Sequence, residues 1–170
     1  MSSLAVAHEH ALPFVIIAPG GAYSSKVPTS ELIVAKNSPI TKASDLVGKI
    51  VAVNALKSIT SIAVDAWLDA NGVKPDSVKF LELPFTETAV ALASGRIDAA
   101  FISEPSLGVA LQNGARIIGH PYDAIAHDFL ISVWYTTADY AKTHPDIVRK
   151  FAAIMAEAST WANAHQAESP

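Results

Sequence analysis

Candidate ligand-binding residues, most of them polar, follow predicted strands at three places in the middle of the chain. They come just before helix-forming stretches, at Asn54, Lys57, Ser58 and Thr60, at Pro84 and Phe85, and at Ser103 and Glu104. The first turn of a helix has unpaired N–H groups and a partial positive charge, so it attracts anions and polar head groups. In open α/β sheets, ligands bind beside the carboxyl ends of the strands. The spacing therefore predicts a ligand site built from three strand-to-helix loops.

Each of these polar groups also has a purely structural interpretation. Ser58 or Thr60 could simply cap the helix that follows, which is common for hydroxyl residues. Glu104 could pair with a ligand amine or accept a hydrogen bond from a hydroxyl group, or it could stabilise the N-terminus of its own helix. We favour a ligand role for Glu104, because its loop shares an end of the predicted sheet with Asn54.

The residue types disfavour most kinds of catalytic site. The chain has no cysteine, which excludes disulfides, thiolate nucleophiles and Cys-based zinc sites. The loop after Asn54 lacks the glycines of a P-loop, and no Gly-x-Ser-x-Gly elbow occurs. His8 and His10 would point to different faces of a helix, and no acidic residue sits at ligand spacing on the same face. We therefore predict no catalytic residue, no metal site and no cofactor.

The amino-acid composition is that of a chain that can bury a sizeable hydrophobic core. Of its 170 residues, 51% are hydrophobic and only 16% are charged, so there is no sign of disorder. The net charge of −4, without a basic run, argues against binding nucleic acid. The longest apolar runs, such as residues 14–18, are far shorter than the roughly 20 residues of a membrane-spanning helix.

Strand and helix candidates alternate along the chain. The strand candidates lie at 14–18, 30–35, 49–54, 78–83, 97–102, 115–118 and 128–135. The helix candidates lie at 2–10, 61–71, 87–94, 105–113 and 146–164, with one helical turn in 41–48. Residues 14–18 have the pattern of a strand buried on both faces, whereas the polar stretch 22–28 is typical of a loop. The alternation predicts a mainly parallel, doubly wound α/β sheet, complete between about residues 40 and 119.

Three stretches of the sequence resemble a known family. They are residues 41–53 (TKASDLVGKIVAV), 91–105 (ALASGRIDAAFISEP) and 143–151 (THPDIVRKF). The chain resembles the solute-binding proteins of ABC importers in the nitrate, sulfonate, taurine and thiamine-pyrimidine group. The similarity covers nearly the whole chain, and it is specific to the family but not to one ligand.

The resemblance implies the fold of a type II periplasmic binding protein, in which two α/β lobes enclose a ligand cleft. Residues 37–124 would form a complete second lobe, residues 1–36 part of the first, and residues 125–170 a return to the first lobe with a strand and the C-terminal helices. The ligand would be a small organic anion or a heterocycle, of sulfonate, nitrate, taurine or pyrimidine type. The surviving contacts from the first lobe would be Ser2, Ser3, Gly20 and Gly21.

The same resemblance implies a partner, a location and an activity. The partner would be an ABC permease and the location would be the periplasm. The protein would bind its ligand without catalysing a reaction. One alternative is a pyrimidine-forming enzyme of the same fold, but this would need a histidine in a cleft loop, and the loops at 54–60 and 103–105 contain none.

Members of the family are usually much longer than this chain, so the resemblance also predicts a truncated protein or an internal fragment, without its signal peptide. An incomplete first lobe would expose the apolar stripe of residues 147–161 and the edges of neighbouring strands. Such surfaces recruit partners, which predicts a homo-oligomer. A truncated product without activity is the remaining alternative.

Overall fold

The computed structural model describes residues 2–165, with side chains from residue 4 onward. Its strands are β1 (Phe14–Pro19), β2 (Ala22–Ser24), β3 (Ser30–Val34), β4 (Ile50–Val53), β5 (Lys79–Glu82), β6 (Ala99–Ser103), β7 (Arg116–Gly119), β8 (Asp128–Leu130) and β9 (Val133–Thr137). Its α-helices are α1 (Ser2–Glu9), α2 (Ile59–Ala70), α3 (Phe85–Ala93), α4 (Ser106–Gln112), α5 (Ala138–Thr143) and α6 (Pro145–Ala164). Short 3-10 helices lie at Ala43–Leu46, Pro75–Ser77 and Pro121–Ala124.

The chain divides into two compact units. Unit 2 is Tyr23–Phe129, and unit 1 contains the residues up to Ala22 together with those from Leu130 onward. The strands β2 and β8, where the chain passes from one unit to the other, pair as a two-stranded sheet. The polar stretch 22–28, predicted to be a loop, therefore begins with a short strand.

Unit 2 is built on a five-stranded sheet in the order β5-β4-β6-β3-β7. Strand β4 lies between β5 and β6 and is parallel to both, whereas β3 is antiparallel to both β6 and β7. Four strands thus run in one direction and only β3 runs in the other. In β4, Val51, Ala52 and Val53 are all buried, which is typical of a parallel strand covered on both faces. The predicted α/β class is confirmed.

Helices cover both faces of this sheet. On one face, Leu92 of α3 and Leu107 of α4 pack with Ile33 and Ile102 of the strands. Alternate strand residues point to the opposite face. There, the ring of Phe101 lies 4.8 Å from that of Tyr122, whose 3-10 helix contacts α2.

Trp67 of α2 lies directly against Gly119 at the end of β7. A Cβ atom at Gly119 would lie only 2.4 Å from the indole ring, so this position accepts no larger residue without displacing Trp67. Trp67 is half-buried in this position.

Unit 1 contains the antiparallel pair of β1 and β9 together with α1, α5 and α6. The prediction that residues 14–18 form a strand buried on both faces is wrong, because Ile16 is 54% exposed. Among the described residues, β1 pairs with β9 alone, so its apolar side chains lack a full covering layer. The predicted long strand over 128–135 is also interrupted, since the N–H groups of Ile131 and Ser132 both donate to Gly21 O between β8 and β9.

The boundaries of the two units differ from those expected for the two lobes. The predicted boundary at residue 36 places β3 in the first lobe, yet β3 hydrogen-bonds to β6 and β7 inside the sheet of unit 2. Residues 125–129 likewise lie in unit 2, where Phe129 packs against Tyr23 and Tyr122.

A buried carboxylate on β3 carries an electrostatic cost within unit 2. Glu31 is only 2% exposed, and its Oε2 lies 2.7 Å from Nδ1 of His120. Burial raises the pKa of Glu31 above its usual range, the adjacent His120 opposes this rise, and Asp123 adds to it. Asp123 in turn accepts a hydrogen bond from the Tyr23 hydroxyl at 2.8 Å. Burial and this carboxylate raise the pKa of Tyr23.

We expect Glu31→Gln to stabilise unit 2 increasingly as the pH rises. Since the pKa of Glu31 is raised in the folded state, its contribution to stability is complete below the unfolded pKa and is lost as the pH rises through the folded pKa. The amide stays neutral, so the difference in free energy of unfolding between variant and wild type should grow across that range. Urea unfolding at a series of pH values measures it, with the exposed Glu87→Gln as the control. Parallel pH profiles for wild type and Glu31→Gln would contradict this account.

Candidate functional site

The three predicted ligand-binding loops of unit 2 lie at one edge of its sheet. Parallel pairing aligns Val53 with Glu82 and Ala52 with Ala100, so the carboxyl ends of β4, β5 and β6 lie side by side. Neighbouring strands are about 4.8 Å apart. We call this edge the rim of unit 2. It carries the predicted residues Asn54, Lys57, Ser58, Thr60, Pro84, Phe85, Ser103 and Glu104.

Sequence reasoning missed Ser30 as a member of the rim. Because β3 is antiparallel to β6, its first residue pairs with the last residue of β6, and the hydroxyl oxygens of Ser30 and Ser103 lie 2.7 Å apart. Ser30 is buried. No local signal identifies it, since the contact depends on two strands that are distant in the sequence.

A small hydrogen-bond network connects the loop after β4 to the start of α2. Thr60 Oγ1 donates to Asn54 Oδ1 at 2.6 Å and lies 2.7 Å from Ser58 Oγ. Ser58 Oγ also donates to Ala55 O at 2.7 Å. Thr60 is buried, whereas Asn54 is exposed. The polar side chains of this loop are therefore held mainly by one another.

The N-terminus of α2 is left without a side-chain cap. Ser58 occupies the N-cap position, but its side chain accepts no hydrogen bond from the helix backbone. Within the described residues, the first backbone donor with a partner is Ile62 N–H, which bonds to Ser58 O at 3.1 Å. The N–H groups of Ile59, Thr60 and Ser61 remain available, together with the positive end of the helix dipole. The interpretation that Ser58 merely caps the helix is therefore not supported by its hydrogen bonds.

Lys57, two residues before α2, has an unusual backbone conformation. Its φ of 57° lies in the left-handed region, which few residues other than glycine adopt. The residue is exposed, and its ammonium group forms no salt bridge with the part of the chain that the structure describes. Unfavourable backbone conformations of this kind cluster at ligand sites.

The second loop contributes little polarity of its own. Pro84 occupies the N-cap position of α3, and its carbonyl accepts from Glu87 N–H at 3.0 Å and from Thr88 Oγ1 at 3.0 Å. Phe85 is half-buried at the first helical position. These two residues supply apolar surface next to the loop after β4.

Glu104 at the end of β6 interacts with the start of its own helix. Its Oε2 accepts from Gly108 N–H of α4 at 3.0 Å, which is the structural role considered from the sequence. The side chain is nevertheless exposed, and it has no cationic partner among the residues described here. Its predicted ligand role therefore stays a prediction.

The predicted glycine contacts of unit 1 form a tight turn against Ser132. Gly20 N–H donates to Ser132 O at 3.0 Å, and Gly21 N–H donates to Ser132 Oγ at 2.6 Å. A Cβ atom at Gly20 would lie 2.5 Å from that hydroxyl oxygen. The two glycines, with Trp134 and Met155, line a cavity of about 380 Å³ within unit 1. The predicted side-chain contacts of Ser2 and Ser3 lie outside the described residues.

A larger cavity of about 810 Å³ lies away from the rim, between the later turns of α3 and α4. Its apolar walls include Ala89, Val90 and Val109, and none of the predicted ligand residues lines it. Among residues 2–165, no cluster of three or more His, Asp or Glu side chains could hold a metal ion. In the same part of the chain, no helix has the length and apolar character needed to cross a membrane.

The mixed α/β fold is that of the periplasmic-binding-protein class. The family model described as NMT1/THI5 like matches residues 1–169, and the chain belongs to this family. It is 30% identical over 151 residues to the taurine-binding periplasmic protein of Escherichia coli (strain K12), covering 89% of this chain and 45% of that protein. The chain thus spans about half the length of this relative.

Solved structures bear out the fold. The periplasmic aliphatic sulphonate binding protein SsuA from Escherichia coli matches with a TM-score of 0.74 and 23% identity, over 96% of this chain and 54% of that one. The desulfurization enzyme DSZB matches with a TM-score of 0.63 and 18% identity, over 91% of this chain and 58% of that one. Since solute-binding proteins and an enzyme share the architecture, the fold alone does not decide between binding and catalysis.

We expect Thr60→Val to destabilise unit 2 by about 1 to 3 kcal/mol, because it removes a buried hydroxyl with two short contacts and leaves Asn54 Oδ1 without its donor. Urea unfolding followed by circular dichroism measures this loss. The matched control is Thr88→Val, whose equally buried hydroxyl makes one bond within its own helix. If Thr60→Val costs no more than Thr88→Val, the network does not hold the loop.

Proposed function

We propose that the rim of unit 2 binds the sulfonate group of a small organosulfonate, and that the protein is the solute-binding component of an ABC importer. The observation that carries this proposal is the uncapped start of α2. Three adjacent N–H groups, a helix dipole and Lys57 offer positive charge and donors at one point. A sulfonate has three oxygens that can accept from such a set of donors.

The choice of a sulfonate rests on two kinds of support. The Ser58 and Thr60 hydroxyls face each other and donate to Ala55 O and Asn54 Oδ1, which leaves the helix N–H groups for an outside acceptor. The relative from Escherichia coli is named as a taurine-binding periplasmic protein, and SsuA as a binding protein for aliphatic sulphonates. Residues Pro84 and Phe85 supply apolar surface for a short organic group.

The same proposal includes the partner of the protein, its location and binding without catalysis. A solute-binding component delivers its ligand to an ABC permease, and its place is the periplasm. The rim loops at 54–60, 84–85 and 103–104 contain no histidine or cysteine. Binding without catalysis is therefore the activity that these residues support best.

We expect Ile59→Pro to weaken sulfonate binding by at least about tenfold relative to Ile59→Ala. Proline lacks the N–H group that is the first donor of the helix. A hydrogen bond to a charged group is worth roughly 1.5 to 3 kcal/mol, which corresponds to at least this change in affinity. Proline is tolerated at the first position of a helix, and Ser58 already has the extended backbone that a following proline requires. Calorimetry with 2-aminoethanesulfonate, ethanesulfonate, nitrate, bicarbonate and a pyrimidine measures the affinities.

Ile59→Ala is the matched control, since it loses the same side chain but retains the N–H group. Equal affinities of the two variants would contradict a role for the helix start. Absence of binding by wild type to every compound in this series would overturn the proposed function while leaving the fold unchanged.

We also propose that the chain forms a homo-oligomer through unit 1. The support is the apolar surface of this unit: within the described residues, no side chain of α6 is fully buried. Ile154 is 61% exposed and Trp161 is 49% exposed, and Ile16 adds to the apolar surface on β1. Exposed apolar side chains and strand edges favour association with another copy.

We expect Ile154→Glu combined with Trp161→Glu to lower the molar mass to that of a monomer, because a charged surface on α6 opposes burial. Light scattering after gel filtration, over a range of protein concentrations, measures the mass. The matched control is Val90→Glu in unit 2, which is 72% exposed and should leave the mass unchanged. A folded wild-type monomer at high concentration would exclude the oligomer.

A further inference from the structure

Two histidines near the C-terminal end of unit 2 each face a carboxylate. His120 Nδ1 lies 2.7 Å from Oε2 of the buried Glu31, and His127 Nδ1 lies 3.7 Å from Oδ1 of Asp123. The stretch from His120 to His127 contains the 3-10 helix Pro121–Ala124, and we call it the histidine segment. In the part of the chain that the structure describes, both salt bridges that include a histidine lie in this segment.

The histidine segment is attached to strands on two sides. His120 contacts Glu31 of β3, inside the five-stranded sheet. Asp123 Oδ1 accepts from the hydroxyl of Tyr23, a buried residue of β2, at 2.8 Å. The last residue of the segment, His127, accepts at its backbone O from Ser25 N–H at 2.8 Å, and β8 follows directly. The segment therefore connects the sheet of unit 2 to Tyr23 and to the start of β8.

Glu31 and Asp123 have only histidines as cationic partners among residues 4–165. Arg116 of β7 donates to backbone carbonyls after β3 instead, and Lys26 after β2 is exposed and forms no salt bridge with the described residues. Helix α2, which contacts the 3-10 helix, has no basic residue. The other titratable groups on the adjoining elements are acidic or phenolic, namely Tyr23, Tyr122, Asp65, Asp69 and Asp128.

The charge balance of this segment therefore depends on pH. Histidine is the side chain that changes charge between about pH 5 and 8. On the acidic side of this range, a charged His120 compensates Glu31 and a charged His127 compensates Asp123. As the pH rises, both histidines become neutral. A neutral His120 can still donate to Glu31, but Glu31 and Asp123 then repel each other without a nearby cation.

The buried carboxylate acts in the same direction. Burial raises the pKa of Glu31, His120 opposes this rise, and Asp123 adds to it. A group whose pKa is raised by the closed structure stabilises that structure at low pH and loses this contribution as the pH rises through the raised pKa. Loss of the proton from Glu31 and loss of charge from the histidines both weaken the attachment of the segment at higher pH.

We propose that the histidine segment is a pH-sensitive switch, which holds Tyr23 and the start of β8 on the sheet of unit 2 at mildly acidic pH and loosens at alkaline pH. His120 compensates the charge of Glu31, and His127 that of Asp123. The chain passes between its two compact units at β2 and β8, so the switch acts on the residues of this passage that belong to unit 2. No rim residue takes part, and the switch is independent of ligand binding.

Native-state hydrogen exchange, followed by NMR, tests the switch. The amides of Asp123, Ile125 and Ala126 report opening, because each is hydrogen-bonded within the segment. The reference is the amide of Leu83, which donates to Val53 O at the parallel pair of β4 and β5. After correction for intrinsic exchange rates, we expect segment opening relative to Leu83 to increase at least about tenfold from about pH 5.5 to 8.5, the effect of one unit of pKa difference.

Two variants separate the roles of the paired groups. Glu31→Gln retains an oxygen beside His120 but removes the charge, so the change in opening over this pH range should fall to about threefold or less, the part left to Asp123 and His127. His120→Gln can donate to Glu31 but cannot become charged. It should increase opening at least about fivefold at the acidic end of the range and much less at the alkaline end.

His10→Gln is the matched control, because it removes an exposed histidine outside the segment and should preserve the wild-type profile. Segment opening that changes with pH no more than the opening at Leu83 would overturn the switch. An increase in opening from His120→Gln that is equal at both ends of the pH range would also overturn it. Unfolding curves at each pH establish that every variant is folded, and the wild-type profile by itself decides the outcome if one is not.

Discussion

The parallel pairing of β4 with β5 and β6 is the constraint on which the candidate site depends. It brings three carboxyl strand ends to one edge, so loops that are far apart in the chain become neighbours. The buried valines and alanines of β4 and β6 hold these strands in the core of unit 2, between the helices that cover both faces of the sheet. The chemistry of the rim therefore rests on an apolar core that takes no part in binding.

The start of α2 illustrates how stability and binding compete for the same groups. A serine at the N-cap position usually accepts from the helix backbone, and losing that bond costs about 1 kcal/mol. Here Ser58 bonds to Ala55 O and approaches Thr60 instead, and Lys57 adopts a left-handed conformation. These local costs leave a set of backbone donors free, as a site for an anion requires. Glu31 is another costly group, because it is a buried carboxylate whose side chain has one hydrogen-bond partner among the described residues, His120.

The two units differ in how completely their apolar residues are covered. Unit 2 has a sheet with helices on both faces and a continuous core. Unit 1 has a two-stranded sheet and a 20-residue helix without a fully buried side chain in the described residues. A two-stranded sheet has little stability of its own, so unit 1 depends strongly on whatever surrounds its apolar surfaces.

The types and order of most elements, and the loops of the rim, could be predicted from the sequence, because strand and helix patterns and capping residues act over a few neighbouring residues. The sequence also indicated the family, through stretches such as residues 91–105. Only the tertiary structure decided that β3 inserts antiparallel between β6 and β7, which brings Ser30 to Ser103 and Glu31 to His120. It alone decided that Ser58 turns away from its helix and that Ile16 remains exposed. These outcomes depend on partners far along the chain or on a covering layer, and no local pattern of residues contains that information.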